Sequence, residues 1–129
     1  MSRAKITASA PVLIVRDLVK AAAYYRDKLG FEKQDFFGDP PNFCITVRDG
    51  FTVMLAQVDD PATPLVPHWK IVDKMWNIYF WVDDVEALYA EFQESGADID
   101  YSLYVTVYGV KEFGVQDLDG HDIAFGQLL

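Results

Sequence analysis

Apolar positions along this chain follow two different periods, and the change from one period to the other happens twice. Residues 11–15 are a short run rich in β-branched side chains and read as a strand. Asp17 then suits a helix N-cap, because its carboxylate can accept from an orphan backbone N–H. Leu18, Ala22, Tyr25 and Leu29 follow at helical spacing, so the helix is expected to run to about Leu29. Gly30 is placed to take the left-handed conformation that ends a helix. Residues 31–37 read as a strand, 38–42 (GDPPN) as a turn, and 43–47 as a strand alternating with Cys44, Thr46 and Arg48. Asp49-Gly50 is a two-residue hairpin signal, and residues 51–58 return as a fourth strand.

The same grammar returns after residues 59–74, which carry three prolines and no clear period and read as a linker or surface loop. Ile78, Phe80 and Val82 alternate with Asn77, Tyr79 and Trp81. Asp83 or Asp84 caps the next helix, Val85, Leu88, Tyr89 and Phe92 form its apolar stripe, and Gly96 stops it. Residues 99–107 are expected as a strand entering a loop, 111–116 as another strand, Asp119-Gly120 as a second hairpin turn, and 122–128 as the last strand. Val82-Asp83-Asp84-Val85 stands 67 residues after Val15-Arg16-Asp17-Leu18, Gly96 stands 66 after Gly30, and Asp119-Gly120 stands 70 after Asp49-Gly50. The chain is therefore a βαβββ unit written twice: one domain over residues 1–129, with modules at 8–58 and 75–129. Neither four-stranded sheet can cover both its faces alone. Two copies pairing edge to edge would make a curved, half-open mixed sheet with a central cleft, an α+β fold.

Composition narrows the class. The chain has 129 residues, 51% of them hydrophobic and 15% aromatic, which suits a single globular core. A formal charge of −9 repels nucleic-acid phosphates and anionic membranes, and attracts cations. No apolar run approaches the ~20 residues of a membrane span. The single Cys44 excludes an internal disulfide and fits a cytoplasmic location. No G-x-S-x-G or phosphate-cradling glycine loop is present. His121 beside the final turn is expected to be exposed and structural, and His68 lies in the proline-rich segment.

These landmarks resemble the vicinal oxygen chelate superfamily, which includes glyoxalase I, extradiol dioxygenases, fosfomycin-resistance enzymes and bleomycin-resistance proteins. The resemblance spans nearly the whole chain and rests on V-x-D-L before a helix, Y-Y-x-D-x-L-G-F at its end and D-x-D-G-H before the last strand. It implies metal ligands on the concave face of the first and last strand of each module. Those positions hold Ala10, Met54, Asn77 and Ala124, and a divalent metal wants His, Asp or Glu there. The branch most similar is that of the metal-free bleomycin-resistance proteins. Its marks here are the S-A-P-V-L-x-x-R-D run, Asp27-Lys28-Leu29-Gly30-Phe31, Leu88-Tyr89-Ala90-Glu91-Phe92 and the acidic balance.

That branch implies a homodimer that sequesters a cationic, flat-ringed antibiotic in interface grooves with no cofactor and no catalytic residue. Pro11 matches a proline that follows a swapped N-terminal arm, and a proline cannot donate to a sheet ladder. On the alternation above, Asn77, Tyr79 and Trp81 face the cleft, and Glu112 lies on the side opposite Phe113 and Val115. Tyr79, Trp81, Tyr108, Glu112, Asn77, Phe36 and Phe37 are the candidate ligand contacts, with Trp69 and Trp76 as further walls. Asp35, Asp39, Asp59 and Asp60 are further acidic candidates. Ordinary packing in a core or dimer interface accounts for the same aromatics, and a solvated strand charge for the same carboxylates. The alternative function is a metal-dependent lyase or oxidoreductase of the glyoxalase or dioxygenase type. A dimeric scaffold or metabolite sensor is a third reading.

Overall fold

The structure, a computed structural model, describes residues 2–129. The first module consists of β1 (Val12–Val15), α1 (Leu18–Asp27), β2 (Lys33–Phe37), β3 (Phe43–Arg48) and β4 (Phe51–Gln57). The second consists of β5 (Ile78–Trp81), α2 (Val85–Ser95), β6 (Asp98–Val105), β7 (Val110–Gln116) and β8 (Asp122–Leu128). The connection between them contains one 3-10 turn, His68–Lys70. The strand orders are β1-β4-β3-β2 and β5-β8-β7-β6, each with one parallel pair and two antiparallel pairs. This is the expected α+β fold of two βαβββ modules with open mixed sheets. Within one chain the two sheets stay separate: no strand of one pairs with a strand of the other among the described residues.

The repeat extends to the helix caps. Asp17 accepts from the Lys20 N–H at 3.2 Å, and Asp84, rather than Asp83, accepts from the Ala87 N–H at 3.1 Å. The first helical N–H of each helix is taken by a glutamine on its module's last strand: Gln57 for Leu18 at 2.8 Å, Gln127 for Val85 at 2.9 Å. Each helix start is thereby tied to its own sheet. α1 ends at Asp27, one turn edge earlier than the apolar stripe suggests, and Leu29 reaches the core from the connection to Gly30.

The core is one cluster drawn from both modules. Leu13, Val15, Leu18, Tyr25, Val53 and Leu55 meet Ile78, Val85, Phe92, Phe113 and Phe125 within it. Hydrogen bonds also cross the divide. Tyr24 donates to the Gln116 carbonyl at 2.7 Å and accepts from the Asp98 N–H at 2.9 Å. Ser95 Oγ donates to the Lys28 carbonyl at 2.7 Å, and Lys28 Nζ donates to the Ser95 carbonyl at 3.0 Å.

One of the two expected hairpin turns forms as read, and the other does not. Asp49 and Gly50 both have positive φ (52° and 78°), as a tight two-residue hairpin turn requires. At Asp119-Gly120 only the glycine does, and residues 117–121 form a longer loop closed by the Asp117 N–H on the His121 carbonyl at 3.1 Å. His121 is buried rather than exposed, because Asp117 accepts from its N–H at 2.9 Å and from its Nδ1–H at 2.8 Å. The loop folds inward because Asp117 also accepts from the Tyr25 hydroxyl of α1 at 2.8 Å. No described helix is long and apolar enough to cross a membrane.

Candidate functional site

The concave face of the second sheet is built around one carboxylate. Glu112 on β7 points away from Phe113 and Val115, as alternation requires, and is 1% exposed. Three phenols donate to it: Tyr79 at 3.0 Å and Tyr108 at 2.6 Å on Oε1, Tyr101 at 2.7 Å on Oε2. An ionised carboxylate only accepts, so three donors on one Glu form a matched set. The Trp76 indole N–H donates to the Tyr101 oxygen at 3.1 Å. Ring contacts extend the cluster: Trp76 to Tyr79 at 4.8 Å, Tyr79 to Trp81 at 4.9 Å, and Tyr101 to Tyr104 at 5.9 Å between centroids.

Glycines make room for these rings. A Cβ on Gly126 would lie 2.0 Å from the Tyr79 hydroxyl, and one on Gly114 would lie 2.3 Å from the Tyr101 ring. Both sites face the cleft beside Glu112, since Glu112 pairs with Gly126 and Gly114 with Ala124. The turn at Thr106 to Gly109 brings Tyr108 back over β7. The Tyr108 phenol is pushed up to about 12 by its bond to the Glu112 carboxylate and by burial. Burial, then the same carboxylate, raises Tyr79 and Tyr101 further still. At neutral pH all three stay protonated, so they donate, and the carboxylate sits under a layer of aromatic rings.

The sequence candidates divide accordingly. Tyr79, Trp81, Tyr108 and Glu112 are brought together, with Trp76 beside them. Glu112 differs from an open cation-binding carboxylate because the three phenols cover it. Asn77 is turned aside: its Oδ1 accepts from the His68 N–H at 3.2 Å and holds the connecting segment. His68 itself donates from Nδ1 to the Trp76 carbonyl at 3.0 Å. Trp69 donates to the Gly120 carbonyl at 2.6 Å and belongs to that loop rather than to the cluster. Phe36, Phe37 and Asp35 stand on β2 of the other sheet, with Asp39 in the turn after it. Asp59 and Asp60 start the connecting segment, where Asp60 accepts from the Ala62 N–H at 2.9 Å. Tyr101 and Tyr104 were not legible from alternation. β6 is irregular between Ile99 and Tyr101 and again between Tyr101 and Tyr104, so period two breaks where the rings sit. Gly114 and Gly126 were the available signal, since a strand-interior glycine marks a close approach.

The four positions where metal-dependent relatives would place ligands do not fit a divalent metal. Ala10 and Met54 belong to the first module, and Asn77 and Ala124 to the second. Ala124 is fully buried and pairs with Tyr79, and the Asn77 oxygen is already engaged. Among the described residues, Asp117, Asp119 and His121 bring ligand atoms within 4.8 Å of one another. Their partners are Tyr25, Arg16 and the loop backbone, so they act as a joint between the modules.

Comparison with known proteins agrees with this architecture. Residues 7–125 match the family model of the Glyoxalase/Bleomycin resistance protein/Dioxygenase superfamily. TioX from Micromonospora sp. ML1 superposes with a TM-score of 0.70 at 23% identity, over 95% of this chain and 99% of that one. The bleomycin-binding protein from bleomycin-producing Streptomyces verticillus, complexed with copper(II)-bleomycin, gives 0.71 at 21% identity, over 95% and 97%. A glyoxalase-related enzyme from Clostridium phytofermentans gives 0.76 at 15% identity, over 98% of both chains. No curated protein sequence matches. At these identities the structural likeness shows the shared fold, and the family match covers nearly the whole chain: the protein belongs to the glyoxalase/bleomycin resistance protein/dioxygenase superfamily.

Proposed function

We propose that this protein is a metal-free, dimeric small-molecule binding protein that sequesters a cationic aromatic compound, in the manner of an antibiotic-resistance protein. The observation that carries the reading is the tyrosine layer over Glu112. Flat rings stack on it, each pair contributing about 0.5–1.5 kcal/mol beyond area. The buried negative charge beneath makes the aromatic surface more attractive to a cation. Glu112 acts through the rings and not by direct contact. The bleomycin complex of the Streptomyces verticillus protein supplies the class of ligand.

The dimer is supported by what the monomer leaves in water. Val12 (55% exposed) and Ile14 (54%) line the concave face of the first sheet, and Trp81 (60%) lines that of the second. Pairing of two copies would cover both faces and enclose a groove between them. Residues 2–9 are exposed and carry no regular structure, so the arm before Pro11 is available to a second copy.

Titration with copper(II)-bleomycin and with metal-free bleomycin, read by tryptophan fluorescence, tests the ligand. Saturable quenching at micromolar concentration is expected, and an unchanged spectrum removes this ligand class. Sedimentation equilibrium tests the dimer. Stoichiometric Ni, Zn, Mn or Fe in protein purified without chelators overturns the metal-free assignment in favour of a metal-dependent enzyme.

A further inference from the structure

The internal repeat creates two junctions between the modules, and only one of them is filled. In the first, the 117–121 loop meets α1, where Tyr25, Asp117 and His121 make a buried hydrogen-bonded set. In the second, the β3–β4 turn meets α2. The repeat places Phe92 where Tyr25 stands and Phe51 where His121 stands. Phe92 has no hydroxyl to offer, and Phe51 is 66% exposed and does not fold inward. Arg48 instead lies over the Phe92 ring at 5.8 Å and forms a two-pronged pair with Glu91, at 2.5 and 3.0 Å.

What results is a cavity of about 430 Å³ between the modules. Its floor is apolar and aromatic: Phe31, Phe80, Leu88 and Phe125. Phe80 and Phe125 stack at 5.5 Å with 19° between their planes, so the floor presents flat ring edges and faces. The rim carries Asp49, Asp83, Asp84 and Glu91 against the single Arg48. Arg48 is occupied by Glu91, by Asp49 at 3.4 Å and by the Leu29 carbonyl at 2.9 Å. The volume falls in the range of small-molecule pockets, about 300–1,000 Å³. An anion would meet a negative rim, and a neutral ring would leave that rim unused.

We propose that this cavity is a second binding site, separate from the tyrosine-covered face, for a small organic amine carrying one flat apolar ring. The ring lies on Phe80 and Leu88, and the ammonium faces Asp83 and Asp49. This site goes beyond the sequestration reading and stands or falls independently of it.

The probe is 4-fluorobenzylamine, followed by fluorine NMR against the full chain, with 4-fluorobenzyl alcohol as the uncharged comparison. Trp81 borders both places, so tryptophan fluorescence alone does not separate them. A saturable shift with the amine is expected, and binding of the alcohol at least several-fold weaker. Ala87 lines the cavity from an exposed helix position, so Ala87→Trp fills it from outside and is expected to weaken the amine at least tenfold. Asp83→Lys, also at an exposed position, reverses a rim charge and is expected to weaken it about tenfold, two charge steps of a few-fold each. Calorimetric titration of the Ala87→Trp variant with copper(II)-bleomycin reports on the other face separately. The proposal is overturned by no saturable shift in the unmodified protein, by equal binding of amine and alcohol, or by undiminished binding in both variants.

Discussion

The two concave faces carry the same rows of strand positions with opposite chemistry. In the first sheet one row reads Val12, Met54, Ile45, Asp35 across its four strands, and the next reads Ile14, Ala56, Phe43, Phe37. In the second sheet the matching rows read Tyr79, Ala124, Gly114, Tyr101 and Trp81, Gly126, Glu112, Tyr104. In the first face the acid of these rows, Asp35, stands on the outer strand β2, and the two central strands are filled by Met54, Ile45, Ala56 and Phe43. The second keeps its central strands small and its outer strands large, so rings lean inward over the gap and converge on one acid. One backbone plan thus yields a face with filled central strands and a face whose rings close over an acid, depending on where bulk sits in the row.

Breaking the carboxylate tests this comparison most strongly. Glu112→Leu leaves three phenols without their shared acceptor, and is expected to lower unfolding free energy by about 3–5 kcal/mol. Phe43→Leu, at the matching place on the first sheet, is expected to cost no more than about 1.5 kcal/mol. Urea midpoints with unchanged slope are the measurement; equal losses at the two sites would mean that the faces do not differ in kind. Gly126→Ala comes next. Its Cβ has no room beside the Tyr79 hydroxyl, so a loss of about 1–3 kcal/mol is expected together with a weaker response to an aromatic cation. A stabilised Gly126→Ala protein would show that the ring does not lie where the glycine admits it.

The smallest effect concerns Asp122, at the end of the second face. It is 5% exposed, its Oδ1 has no hydrogen-bond partner, and its pKa is raised to about 6, first by burial and further by Asp100, against a lowering contact from Gln116. The folded state therefore holds a proton there that the unfolded chain, with an aspartate near its ordinary ~3.9, has released. Stability from this group is full below about pH 4 and falls as pH rises through about 6. Asp122→Asn is expected to raise stability at pH 7.5 by about 1–2 kcal/mol and to change little at pH 4. Thermal melts at the two pH values check it; a gain of equal size at both would remove the protonation argument.

Much of the fold was open to the eye in the sequence. Capping aspartates, glycine stops and Asp49-Gly50 are local signals whose meaning depends on a few neighbouring atoms, and they survived folding almost unchanged. The half of the site that lies on regular strands was equally open, because alternation fixes which face Tyr79, Trp81 and Glu112 occupy. Where local and long-range demands conflicted, local reading lost. His121 beside a turn glycine suggests exposure, yet Tyr25 and Asp117 draw it inward. Asn77 alternates towards the cleft, yet the His68 backbone claims its oxygen. Tyr101 and Tyr104 joined the site because bulges shift β6 out of register.

Period and residue identity alone fixed the repeated module, the sheet side of residues on the regular strands such as Tyr79, Trp81 and Glu112, and the replacement of the metal-ligand positions by Ala10, Met54, Asn77 and Ala124. These depend on periods of 3.6 and 2 and on residue identity, which the chain carries locally. Folding alone settled that Glu112 lies beneath three phenols, that Gly114 and Gly126 leave room for two of them, and that one junction is filled while its repeat is hollow. Each of these turns on where side chains from distant strands end, and a packed interior resolves that only when every neighbour is in place.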